Sequence, residues 1–291
     1  INDYIFVDGY KKVLEYKQSG RLQNIDLLLP VIELRIDQFG GTESDLSRAN
    51  WHIIFSDEVT PDQIQHQFLS ALTSAYQIDP AYKNLSSEWV GVPTRGSLEE
   101  LGQMIIDSVP SDEKQYFDTP LQEGFNNLNF KLDDIRQRLE SHIFKGNFIA
   151  AVGKTEWYNI KWNNQSVANK KNIINRPHLV FTAAKSVDRY DESLEALRGA
   201  GVNSHLLDCS DAHDFSSSDK DNRIGNSNTW IKADPTFDGL LHAIHEFEER
   251  VAVCEKPDKL DKVKQNTTKY IRSIAIDQNE NYDLEETWFD N

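Results

Sequence analysis

Leu206-Leu207-Asp208-Cys209-Ser210-Asp211-Ala212-His213 is a short apolar run that ends in an aspartate and a histidine two residues apart. Read as a strand and its outlet, it puts Asp211 and His213 on one side of the chain, because residues two apart in a strand point the same way. Carboxylate and neutral imidazole are the usual ligands for Zn, Mn and Fe. In proteins of alternating strands and helices the functional side chains gather at the carboxyl ends of the strands. Asp211 and His213 are therefore the first candidates for a metal site. The plainer alternative has His213 capping a turn and Asp211 binding backbone amides.

Outward from this run, short apolar segments alternate with helix-length amphipathic ones from Gly9 to about Gly225, the pattern of βα units. The strands predicted are 26–36, 51–55, 147–152, 178–182, 205–209, 229–232 and 251–254. Thr60-Pro61 reads as an N-cap followed by proline at the first helical position, and Ser97 with Glu100 has capping-box spacing. The stripe Phe125, Leu128, Leu132, Ile135, Leu139, Ile143 predicts one long helix over 121–144 with a buried face. A last helix is predicted over 235–249 with Asp234 as its cap. Residues 255–269 are rich in Lys, Asp, Asn and Gln and read as a linker. That makes 1–254 one α/β domain, and 270–291, with Trp288-Phe289, the start of another.

The chain of 291 residues has a formal net charge of −16. It lacks the clustered Lys and Arg that wrapping nucleic acid by bulk electrostatics requires. A cation site reverses the field locally, so a catalytic pocket for a phosphoester stays open. Two cysteines, Cys209 and Cys254, offer no disulfide framework and suit a reducing cytoplasm. No apolar run approaches the roughly 18 residues that span a bilayer, and Ile1 to Val7 do not form a leader. Both ends read as cut from a longer polypeptide.

Further candidates follow from acids and histidines placed among apolar neighbours. Glu33 interrupts Leu27-Leu28-Leu29-Pro30-Val31-Ile32-Glu33-Leu34, and a buried carboxylate needs a metal, an arginine or donors, with Arg35 on the same face as the ordinary partner. His52 sits near the start of Trp51-His52-Ile53-Ile54-Phe55. The strand 147–152 empties into Gly153-Lys154-Thr155-Glu156, where Lys154 could meet a phosphate oxygen as a point charge or lie in a solvated loop.

Taken together these residues resemble the PHP (polymerase and histidinol phosphatase) superfamily. Ser210-Asp211-Ala212-His213 is similar to its last metal motif, Ile32-Glu33-Leu34 to its glutamate motif, and His52-Ile53-Ile54 to the histidine strand after it. Asn2-Asp3-Tyr4 through Asp8-Gly9-Tyr10 resembles the family's TDH segment, with Tyr4 where a histidine usually stands, so the chain is expected to start just after a first HxH. A closer resemblance covers nearly the whole chain. Asp8 to Val13, Leu206 to Asp214 and Thr229 to Phe237 are similar to the PHP modules of TrlF-like AAA/SMC-type ATPases.

The resemblance implies a distorted (β/α)7 barrel holding divalent metal (Mn, Zn or Fe) through Glu33, His52, Asp211 and His213. Lys154 or Arg223 would lie on the substrate phosphate. It implies a metal-dependent phosphoesterase, a nuclease on RNA or DNA in defence or repair, working in the cytoplasm with an ATPase domain of the same polypeptide. No Walker loop lies within residues 1–291. Copies would pair through segments outside this stretch. Tyr4, the missing HxH and Val152-Gly153-Lys154 in place of a strand-end histidine keep a second reading open, a PHP scaffold or sensing domain without chemistry that regulates the ATPase.

Overall fold

A computed structural model describes residues 1–42, 45–78, 88–159, 167–269 and 271. The sequence reading of 270–291 lies outside the described residues apart from Ile271. The chain divides into two units, Ile1–Val253 and Cys254–Asn291.

The first unit is mixed α/β. Its main sheet has six strands, β1 (Asn2–Tyr4), β2 (Val31–Thr42), β3 (Asp45–Phe55), β6 (Phe148–Gly153), β7 (Leu179–Thr182) and β8 (Leu206–Asp208), hydrogen-bonded in that order. The sheet curls into half a barrel. Five strands run one way and β3 runs against its neighbours β2 and β6. A hairpin of β4 (Ser74–Gln77) and β5 (Glu88–Gly91) forms a small sheet of its own. So do β9 (Thr229–Ile231) and β10 (Val251–Val253). All seven predicted strands are present, with 26–36 starting only at Val31.

Strand alternation divides the core. Ile32, Leu34, Trp51, Ile53, Phe55 and Ala150 face one way, onto α1 (Asp8–Gln18), α3 (Arg95–Ser108), α4 (Pro120–Asn127) and α5 (Leu132–Leu139). Farther along the same side Val152, Val180 and Leu206 meet α6 (Lys154–Asn159), α7 (Val167–Asn175) and α8 (Val187–Ala200). On the reverse face Ile54, Ile149, Ala151, Leu179 and Leu207 meet Phe237 and Ile244 of α9 (Phe237–His245) and Phe247 of α10 (Phe247–Arg250). Burial of such side chains, worth about 1.5–3 kcal/mol each, drives this assembly.

Several boundaries differ from the sequence reading. Helix α3 is capped by Thr94, whose hydroxyl accepts from Ser97 N while Ser97 Oγ accepts from Thr94 N. Ser97 is thus inside the helix, not its cap. The long helix predicted over 121–144 is two, because Phe130 leaves the helical path to bond with the edge of β2. Its N–H donates to Arg35 O, and Asp37 N donates to Phe130 O, both at 2.9 Å. Thr236, not Asp234, caps α9 by accepting from Gly239 N. Thr60-Pro61 does start a helix, a three-residue α2 (Pro61–Gln63) that widens into a π-turn over Ile64–Phe68.

Helices α3 and α4 touch backbone to backbone. A Cβ on Gly124 would stand 2.0 Å from Leu98 O, and one on Gly102 1.7 Å from Pro120 O. Only glycine fits either place. Among the described residues no helix is long and apolar enough to cross a membrane. In the second unit the stretch read as a linker forms α11 (Asp258–Gln265) and a 3-10 turn, with no residue buried in either.

Candidate functional site

The reverse face of the sheet is apolar where α9 and α10 cover it, and polar one register step toward the carboxyl ends of the parallel strands. There Glu33 lies opposite His52 across β2 and β3, and opposite Tyr4 across β1. Glu33 Oε2 accepts from Asn2 Nδ2 at 2.8 Å and stands 3.8 Å from His52 Nδ1. That gap is too long for a hydrogen bond. His52 Nδ1 is buried and has no hydrogen-bond partner among the described residues, and the ring lies 5.6 Å from that of Phe181. Burial lowers the pKa of His52, against the pull of Glu33 and Asp211, so the imidazole is neutral. Arg35, the ordinary partner expected for Glu33, goes elsewhere. Its guanidinium covers the Tyr4 ring and donates to Asn126 O at 2.7 Å. Tyr4 donates its hydroxyl to Phe125 O at 3.0 Å, and burial raises its pKa.

Strand β8 ends at Asp208, so the alternation that would align Asp211 with His213 stops short of both. Asp211 adopts a left-handed backbone, φ 46°, a conformation that costs a non-glycine residue free energy and clusters at functional positions. Asp211 remains close enough to His52 to favour its protonated form, and burial, with Asp208 and then Asp211 adding to it, pushes the Cys209 thiol up to about 12. His213 is exposed. Its Nδ1 lies 2.8 Å from Asp211 O, and its N–H donates to Asn222 O. It closes a turn, and the structure does not bring it to Glu33 and His52. Arg223 belongs to the same loop and donates to Ser216 O at 3.4 Å.

Helix α6 separates two residues that are neighbours in sequence. Side chains two apart on a helix diverge by about 200°. Glu156 turns inward and is 7% exposed. Burial pushes its carboxyl up to about 7, an effect that the charge of Glu33 adds to and a hydrogen bond from the Asn50 backbone opposes. Lys154 turns to α8 and donates to Ser193 Oγ at 2.9 Å. The residues the fold gathers are thus Glu33, His52, Asp211 and, beyond those the sequence proposed as ligands, Glu156. Its sequence signal was an acid three residues past a strand-end glycine. A buried unpartnered imidazole nitrogen among carboxylates is the right donor chemistry for a divalent cation. Among the described residues no three His, Cys, Asp or Glu groups converge closely enough to hold one.

Asp208 organises this end of the sheet. Its buried carboxylate accepts from Ala184 N at 2.8 Å and from Asn228 N at 2.9 Å. Its carbonyl accepts from Ser227 Oγ and Thr229 Oγ1, each at 2.7 Å. Asp208 has no role in the sequence pattern alone, although an acid closing an apolar run upstream of Ser227-Asn228-Thr229 is a readable sign. Comparison with family models, curated proteins and solved structures returns no match for this chain.

Proposed function

We propose that the Glu33–His52 face is a divalent-metal site and that the protein is a metal-dependent phosphoesterase acting on nucleic acid. In this reading it is the PHP-like module, a distorted (β/α)7 barrel, of a cytoplasmic ATPase-linked polypeptide. The observation that carries the reading is His52 Nδ1, buried without a hydrogen-bond partner among the described residues, neutral, and 3.8 Å from a carboxylate oxygen. A native fold rarely leaves such an atom without a use. Glu33 and His52 would be the first donors to Mn, Zn or Fe, and Asp211, whose charge reaches His52, would complete the set on binding. When bound, the ion would supply Lewis-acid polarisation of a phosphoryl oxygen and an acidified water. Asn2 orients Glu33 through its amide, and Phe181 walls the His52 ring against water.

The second reading, a scaffold or sensor without chemistry, draws on Tyr4, whose hydroxyl is committed to Phe125 O, and on the lack of three converging donors among the described residues. Elemental analysis of the full chain, purified without chelator and then dialysed against Mn, Zn or Fe, separates the two. The enzyme reading expects metal bound in simple ratio to protein, its loss in His52→Ala and Glu33→Gln, and metal-dependent cleavage of an oligonucleotide. No bound metal, together with equal cleavage by Asp211→Ala and its parent, overturns it.

A further inference from the structure

Between the carboxyl ends of β6 and β7 and the start of α8 lies a cleft of about 360 Å3. Its walls carry Lys154, Lys185 and Arg189, with Glu192 the one carboxylate among the described lining residues. The chain as a whole has a net charge of −16, and three cations at one recess stand out against it, with Glu192 and Asp221 each pairing with one of them. Like charges gathered at one place oppose folding, and a fold that keeps them together commonly has an anion to receive.

Lys154 is the most telling of the three. Its Nζ lies 5.4 Å from the centre of the Tyr158 ring and donates to Ser193 Oγ, whose own proton goes to Arg189 O at 2.8 Å. An ammonium has three protons to donate. Among the described residues no carboxylate comes within 4 Å of it, and burial holds its pKa below the ordinary lysine value. Arg189 is joined to Glu192 through Nη1 alone, at 2.9 Å on the exposed surface. The rest of its planar fork is left for a second acceptor. Lys185 stands at the rim, paired to Asp221 at 3.2 Å where solvent weakens the pair. Tyr158, half exposed, offers a ring face beside the cations.

We propose that this cleft binds a nucleotide through its phosphate, with Lys154 Nζ and the Arg189 guanidinium on phosphate oxygens and Tyr158 against the base. The volume suits a ligand of that size, within the range of about 300–1,000 Å3 for small-molecule sites. Aromatic stacking accepts any base, so the phosphate carries the recognition. Free nucleotide and the phosphorylated end of a strand share this chemistry. The proposal goes beyond the metal-site reading and does not depend on it.

The test is calorimetric titration of the full chain in EDTA with AMP, adenosine, inorganic phosphate and a short 5′-phosphorylated oligonucleotide. AMP is expected to bind at least about tenfold more tightly than adenosine and to weaken as salt rises. Inorganic phosphate is expected to compete with it. Arg189→Gln and Lys154→Gln should each weaken AMP by about tenfold or more, and Lys185→Glu, a rim change that leaves the fold intact, should weaken it by about threefold or more. An oligonucleotide that binds more tightly than AMP assigns the cleft to strand ends, and equal binding assigns it to free nucleotide. AMP that binds no better than adenosine, or equally well to Arg189→Gln and Lys185→Glu, overturns the proposal. His52→Ala should bind AMP like its parent, so failure of the metal site leaves this result legible.

Discussion

Replacing Glu156 by glutamine tests whether the inward turn of α6 holds an acid against its preference. The carboxyl ionises near 4.5 in the unfolded chain and at about 7 in the fold. At about 1.4 kcal/mol per pH unit, the folded state disfavours the charged form by about 3 kcal/mol. Between those two values the fold binds more protons than the unfolded chain, so stability declines as pH rises from 4.5 and the full cost is present above about 7. Glutamine cannot ionise, and its carbonyl oxygen still accepts from the Asn50 backbone. Glu156→Gln should therefore match its parent near pH 4.5 and exceed it by about 3 kcal/mol at pH 8. The assay is urea unfolding in EDTA at pH 5, 6, 7 and 8, read as the separation of the two midpoints. A separation that does not change with pH, or a variant less stable than its parent at pH 8, refutes the reasoning.

Asp208→Ala removes two charge-assisted hydrogen bonds and leaves the Ala184 and Asn228 N–H groups without their acceptor, so a loss of about 3 kcal/mol or more is expected. Hydrogen exchange at those two amides should quicken, and unchanged exchange counts against the hub. Gly124→Ala drives a Cβ into Leu98 O and should destabilise by about 1–3 kcal/mol or more. Gly96→Ala, with nothing within 4 Å, should instead stabilise by about 0.5–1 kcal/mol. Thermal unfolding of the pair checks both signs, and a Gly124→Ala variant as stable as its parent counts against the tight contact of α3 and α4. Burial, with His245 and His205 nearby, lowers the pKa of His178 from 6.5. The unfolded chain binds the proton more readily, so stability should fall as pH drops below about 6.5 until the folded value is passed. His178→Gln should flatten that slope, and an identical slope in the variant excludes His178 as its source.

The strands were legible because their apolar runs are short and bounded, as in Trp51 to Phe55. The pairing of β9 with β10 apart from the main sheet was not, since no local pattern specifies a partner. The break at Phe130 was hidden for a related reason. The stripe runs past it from Leu128 to Leu132 at unbroken helical spacing, and only the edge of β2 gives Phe130 another use. At the site, Glu33 and His52 were readable as polar residues in apolar strands, and their juxtaposition follows from register. The pairing of Asp211 with His213 rested on a strand that ends at Asp208, and a left-handed turn is invisible in an aspartate until the backbone is seen. Lys154 and Glu156 looked like one strand-end cluster until the chain entered a helix at Lys154, which sends them apart.

Asp208 gives the stretch 209–227 an unusual independence. The excursion leaves the sheet at this residue and returns to it, with Ser227, Asn228 and Thr229 fastened to the very peptide and carboxylate from which it departed. Its length and content are thereby uncoupled from the scaffold, because lengthening a loop whose ends are already fixed costs only about 0.6 kcal/mol per doubling. Asp211 and Arg223 ride on the part of the molecule freest to be rewritten. A graft of foreign sequence between Asp211 and Ser227 is the natural route to a new specificity on an unchanged sheet.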